Sequence, residues 1–193
     1  MVSAGAGLGL YLLLLLGVGA ERIAELVISN RNARAAFARG GHEAGQRHFL
    51  VMTIVHALFL PACFAEAWLL GRQPPAWLAA TALLLALSAQ GLRWWAIRTL
   101  GPRWNVRIVV VPGEPPVQSG PYRYLRHPNY LAVVVELFSL PLVHGAFLTS
   151  ALFTVLNAGL LRVRIAAEEQ ALGPLYAASF TGVARLTPGA RRG

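Results

Sequence analysis

Long apolar stretches alternate with short connections that carry arginine. Residues 1–20 hold no charge, and twenty residues are about the length a helix needs to cross the hydrocarbon core of a bilayer. A second apolar stretch covers 49–70 and contains His56 and Glu66, and a third covers 74–92 without a charge. Residues 130–161 form a further apolar run of 32 positions. A single helix of that length would reach roughly 48 Å, against a core of roughly 30 Å. The run therefore folds back on itself, with Pro141, His144 and Gly145 as the tip. Both halves are short unless the first begins before Tyr130. The pattern predicts an all-α, polytopic membrane bundle of about five transmembrane helices that ends in a helical hairpin. It fits one domain over 1–193, with three membrane helices in 1–98 and the hairpin and tail in 99–193.

Charge sharpens this picture. Only 13% of the residues are charged, against about 25% in soluble domains. All 17 basic residues are Arg and all 8 acidic ones are Glu. The net charge of +9 would suit nucleic acid, but the arginines sit between apolar segments and mark membrane boundaries instead. Five lie in 21–48, six in 93–126 and five from Arg162 onward, while Arg72 stands alone on the other side. The positive-inside rule then puts the N-terminus outside and the C-terminus in the cytoplasm. Trp94, Trp95 and Trp104 suit an interfacial belt. The uncharged start lacks the basic n-region of a signal peptide. Cys63 is the sole cysteine, so no disulfide framework or thiolate metal site is expected, and no His/Glu spacing resembles a metal site.

Candidate chemistry falls in three places. In GPYRYLRHPNY, residues 120–130, Pro128 disfavours helix at His127 and suits the first position of a helix. A helix N-terminus there offers free N–H groups to an anion beside Arg126 and His127; the alternative is a plain helix start whose arginines reach to lipid headgroups. In RVRIAAEEQAL, residues 162–172, Arg164 and Glu168 share a helix face. Glu168 and Glu169 would accept from a ribose diol; the alternative is a solvated helix with one surface ion pair, Arg164 to Glu168. Glu136 lies roughly 9 Å deeper than Tyr130 along its helix and shares a face with Asn129. It is either a general base or a structural hydrogen-bonding group, with Glu66 and His56 as possible partners. The connection 101–125, rich in proline, is long enough to serve function.

The sequence GPYRYLRHPNYLAVVVE, with Arg164, Glu168, Glu169 and Leu172, resembles the isoprenylcysteine carboxyl methyltransferase family over about the last half of the chain. The resemblance implies an S-adenosyl-L-methionine-dependent methyltransferase whose part 99–193 wraps the cofactor at the cytoplasmic interface. It implies cofactor contacts at Gly120, Tyr122, Arg126, His127, Pro128, Asn129, Tyr130, Glu168 and Glu169. The catalytic candidates follow from chemistry: Arg164 to orient a carboxylate acceptor, or Glu136 as the base for a hydroxyl one. The family usually continues with spaced tyrosines, whereas this chain has Phe180 in LYAASF. Members act on lipophilic acceptors: prenylcysteine carboxylates, or hydroxyls resembling those of alkylpyrones and alkylresorcinols. No metal is expected, and the partners are membrane lipid and a lipophilic small molecule. Two other classes fit a helical membrane scaffold: a nicotinamide-dependent lipid reductase and a non-catalytic lipid-binding protein.

Overall fold

A computed structural model describes residues 2–186. Five helices dominate it: α1 (Val2–Ala38), α2 (Gln46–Leu70), α3 (Ala76–Leu100), α4 (Pro128–Leu142) and α5 (Phe147–Ser179). A two-stranded antiparallel sheet, β1 (His42–Ala44) and β2 (Ile108–Val110), joins the α1–α2 connection to the α3–α4 connection. Among the described residues, three helices are long and apolar enough to cross a membrane: Phe49–Leu70, Ala76–Arg103 and Phe147–Ser179. Helix α4 is shorter, at 15 residues.

The distribution of side chains is that of a protein in lipid. Large apolar residues point outward, among them Leu13, Leu84, Leu152 and Val155. Small and polar residues point inward. Along α3 the buried positions are Ala82, Ala86, Ala89, Arg93, Ala96 and Ile97, the first five on a seam of alternating four- and three-residue steps. Alanine lets backbones approach closely where lipid removes the usual hydrophobic drive for helix association, and α3 packs along α4 on this seam. Tyr11, Leu15, Phe59, Cys63, Leu137, Leu140 and Phe153 fill the core on the side of the hairpin tip.

Helix boundaries follow local chemistry. Pro128 opens α4 at its first position, with His127 as the N-cap. The hairpin turns after Leu142, and Gly145 adopts φ 74. A Cβ there would sit 2.9 Å from the Arg72 carbonyl oxygen, so only glycine fits the turn. Glu66 then accepts hydrogen bonds from the N–H groups of Leu148 and Thr149 at 2.9 and 2.6 Å. It thereby caps the start of α5 and pairs with Arg72 at 3.1 Å. Glycine at 173, with φ 73 and ψ −167, breaks α5 before Pro174.

The first helix departs from expectation. It does not end near Ala20 but continues through the charged segment to Ala38. Its charges are satisfied by neighbouring helices: Arg22 donates to Gln90 at 2.9 Å, and Glu21 accepts from Gln90 at 2.6 Å and from Trp94. A charge with a partner inside the bundle does not mark a helix end. The sheet was likewise unforeseen, because three-residue strands carry no readable alternation.

Candidate active site

A cavity of about 900 Å³ opens between α1, α2, α4 and α5 beneath the α3–α4 connection. That connection acts as a strap. Asn32 of α1 donates to the carbonyls of Gly101 and Trp104 at 3.1 and 2.8 Å, and Ser29 accepts from the Val106 N–H at 2.9 Å. Gly120, at φ 55, lets the strap cross α3; a Cβ there would collide with the Thr99 side chain. Beyond it, burial pushes the Tyr122 phenol above its ordinary range, with Glu168 adding to the effect.

At the α4 N-terminus the two sequence motifs meet. The Tyr130 hydroxyl donates to Glu168 and accepts from Arg164 Nε at 2.7 Å. Arg164 and Glu168, placed on one face of α5 by their spacing, are thus bridged by Tyr130 rather than paired directly. Arg164 also donates to the Val106 carbonyl of the strap and lies 3.8 Å from the Met52 sulfur. It is 5% exposed, and no carboxylate lies within 4.0 Å of it among the described residues. His127 stacks on Tyr130 with ring centroids 5.2 Å apart.

A second network fastens the chain's last described segment to this corner. Glu169 meets His127 at 3.2 Å and takes two hydrogen bonds from Arg185, at 3.0 and 2.5 Å. The N–H groups of Arg126 and His127 donate to the carbonyls of Ala184 and Arg185. Tyr176 packs on Phe180 at 4.7 Å, and Phe180 is 1% exposed. The phenylalanine that departs from the family pattern is therefore a core residue under the tail. Arg191 and Arg192, counted among the tail's arginines, lie outside the described residues.

A third network lies deeper. Arg93 of α3 donates to Glu136 of α4 at 2.6 Å and reaches Glu25 of α1 at 3.6 Å. Arg22 reaches Glu25 at 3.0 Å and Glu136 at 3.9 Å. Glu25, Arg93 and Glu136 are each at most 6% exposed. The partners considered for Glu136 were Glu66 and His56. Glu66 instead caps α5, and His56 Nδ1 lies 2.8 Å from the Met52 carbonyl oxygen. Charges buried among apolar helices need partners of opposite sign, and the arginines of α1 and α3 supply them.

Of the candidates read from the sequence, Tyr122, Arg126, His127, Asn129, Tyr130, Glu136, Arg164 and Glu168 line the cavity. Gly120, Pro128 and Glu169 lie outside its wall: Gly120 seats the strap, Pro128 starts α4, and Glu169 anchors the tail. Among the described residues no cluster of His, Cys, Asp or Glu could hold a metal ion.

Comparison with known proteins decides the family. The model of the isoprenylcysteine carboxyl methyltransferase (ICMT) family matches residues 82–174. The chain belongs to this family. Its match begins on the alanine seam of α3 and ends at the break in α5, so it includes Arg93, Glu136, Arg164, Glu168 and Glu169. The chain is also 40% identical to "uncharacterized protein YpbQ" of Bacillus subtilis (strain 168) over 152 residues, 79% of this chain and 90% of that protein. It is 31% identical to an "uncharacterized protein" of Haemophilus influenzae over 158 residues, 80% of this chain and 90% of that one. Membership in the isoprenylcysteine carboxyl methyltransferase family points to a methyltransferase built from membrane helices.

Further cavity residues are not marked in the sequence motifs: Arg22 and Glu25 fall outside the family match, and Asn157 falls within it. Arg22 and Glu25 lie on α1 beyond the uncharged stretch 1–20, where the hydropathy pattern alone places a connection. Their spacing of three within GAERIAELVI is the signal that would have found them, since it repeats on one helical face. Asn157, 1% exposed on α5, also lines the cavity and has no such signal.

Proposed function

We propose that the protein is an S-adenosyl-L-methionine-dependent O-methyltransferase acting on a lipophilic acceptor at the membrane interface. The observation that carries this reading is a single cavity with two chemical ends. One end gathers Arg126, His127, Asn129, Tyr130 and Glu168 from both motifs, and the other sets Val18, Phe59, Leu60 and Leu137 beside His56 and the paired charges of Arg22, Glu25, Arg93 and Glu136. Its volume of about 900 Å³ lies at the upper end of small-molecule sites, which accommodates a polar cofactor together with an acyl or prenyl chain.

The residues present fit the cofactor. Asn129 Oδ1 is buried and lacks a hydrogen-bond partner among the described residues, which suits an acceptor for an amino or ammonium group. His127, Tyr130 and the α4 N-terminus would hold the amino-acid end, and Glu168 the ribose. The cofactor supplies an electrophilic methyl group on a sulfonium. The protein's own contribution is alignment in a water-poor space, worth roughly 7–11 kcal/mol when reacting atoms are well oriented. Arg164, a buried cation without a carboxylate partner, would hold the acceptor's oxygen. Glu136, already committed to Arg93 and Arg22, would fix the helices around it. In this reading the polar end faces the cytoplasm under the strap, the N-terminus lies outside, and the acceptor enters laterally from a bacterial cell membrane.

A thermal-shift panel on detergent-solubilised protein tests the assignment. S-adenosylhomocysteine is expected to raise the unfolding midpoint, and at 100 times its Kd the gain corresponds to about 2.7 kcal/mol. NADPH is expected to leave the midpoint unmoved. A response to NADPH alone would indicate a membrane reductase, and a response to neither would indicate a non-catalytic lipid-binding protein.

A further inference from the structure

We propose that His56 is the general base of this site, and hence that the methyl acceptor is a hydroxyl rather than a carboxylate. The inference rests on the methyltransferase reading above and adds the substrate class to it.

His56 lies ten residues into α2, roughly 15 Å along the helix from Gln46. Its Nδ1 is 2.8 Å from the carbonyl oxygen of Met52, one turn earlier. A carbonyl can only accept, so Nδ1 carries the hydrogen. In the neutral ring this leaves Nε2 with a free lone pair. The ring lines the cavity, and Nε2 makes no hydrogen bond among the described residues.

The carboxylates facing this part of the cavity each already answer a charged or hydroxyl donor. Glu136 on α4 and Glu25 on α1 are held by Arg93 on α3 and Arg22 on α1. Glu168 on α5 accepts from Tyr130. Arg164 on α5 is a cation and cannot accept a proton. Glu25 Oε1 has no hydrogen-bond partner among the described residues, but that carboxylate is held by Arg22 and Arg93 through its other oxygen, whereas His56 Nε2 belongs to a base that no cation pairs with among the described residues. Phe59 and Leu60 follow it by three and four residues on α2, on the same face, and also line the cavity. An acceptor whose chain lies against them places its head group beside the ring.

A carboxylate acceptor arrives ionised and has no proton to give. A phenol or enol hydroxyl does. As the oxygen lone pair forms the new O–CH3 bond, the methyl–sulfur bond breaks and its electron pair stays on sulfur. The hydroxyl proton passes to His56 Nε2, and from there to water. The products are the methyl ether, the neutral thioether and one released proton.

The test uses the full chain in detergent with a long-chain alkylresorcinol and an S-prenylcysteine derivative as alternative acceptors. His56→Gln is expected to lower kcat on the alkylresorcinol about 100- to 10,000-fold, and to keep the affinity for S-adenosylhomocysteine, which shows that the fold survives. The wild-type rate is expected to fall at low pH as the ring gains a proton, and this limb should vanish in the variant. Nitrogen NMR of the histidine rings, with the His56 signal assigned by its loss in the variant, is expected to find Nε2 unprotonated and Nδ1 protonated. A ring protonated at Nε2, equal kcat in both proteins, or transfer to the carboxylate alone would overturn the proposal. Wild-type protein that binds no S-adenosylhomocysteine would instead remove the methyltransferase reading, and this base with it.

Discussion

Replacing Arg93 with alanine is expected to destabilise the protein by about 3–5 kcal/mol, the loss typical of breaking a buried ion pair from one side. Arg93 sits in a seam of alanines, 6% exposed, and faces Glu136 at 2.6 Å and Glu25 at 3.6 Å. Without it, Arg22 alone faces both carboxylates. The double variant Arg93→Leu/Glu136→Leu should lose less, because Arg22 and Glu25 then remain as a pair at 3.0 Å. Thermal unfolding in detergent reads both variants. A single variant no worse than the double would show that the charge network contributes nothing to assembly.

Arg164→Leu is expected to lower kcat about 100-fold, the scale of a reacting group misplaced by roughly 1 Å, with a much smaller change in affinity for S-adenosylhomocysteine. Arg164 ties α5 to Tyr130, to the strap through Val106, and to Met52 of α2. Its charge faces the cavity, and among the described residues it reaches Glu168 only through the Tyr130 hydroxyl. A leucine keeps most of the buried volume and removes only the donor. Steady-state kinetics and calorimetry on the same preparation separate the two effects. Equal losses in kcat and cofactor affinity would mean that Arg164 only shapes the cavity.

The parts of this molecule that announce themselves in sequence are those where one residue type forces one conformation. Pro128 fixed the start of α4, and the excess length of the apolar run required the turn that Gly145 makes. The spacing of Arg164 and Glu168 put them on one face, though not in contact with each other, because Tyr130 intervenes. What stayed hidden depends on partners far apart in the chain. Glu21, Arg22 and Glu25 look like a helix boundary until Gln90 and Trp94 are known to hydrogen-bond the first two and Arg93 to pair with the third. The role of Glu169 was likewise invisible, since Arg185 reaches it from a tail with no helical or strand pattern. His56 was legible only as a polar residue in an apolar stretch; the free edge of its ring follows from the contact with Met52.

The central claim is that the corner formed by the α4 N-terminus and the face of α5 bearing Glu168 holds S-adenosyl-L-methionine. Isothermal titration of S-adenosylhomocysteine into purified wild type and into a His127→Ala/Glu168→Ala variant tests it most directly. The account predicts saturable binding to the wild type and none to the variant at the same concentrations. Equal affinity for the two proteins would contradict it.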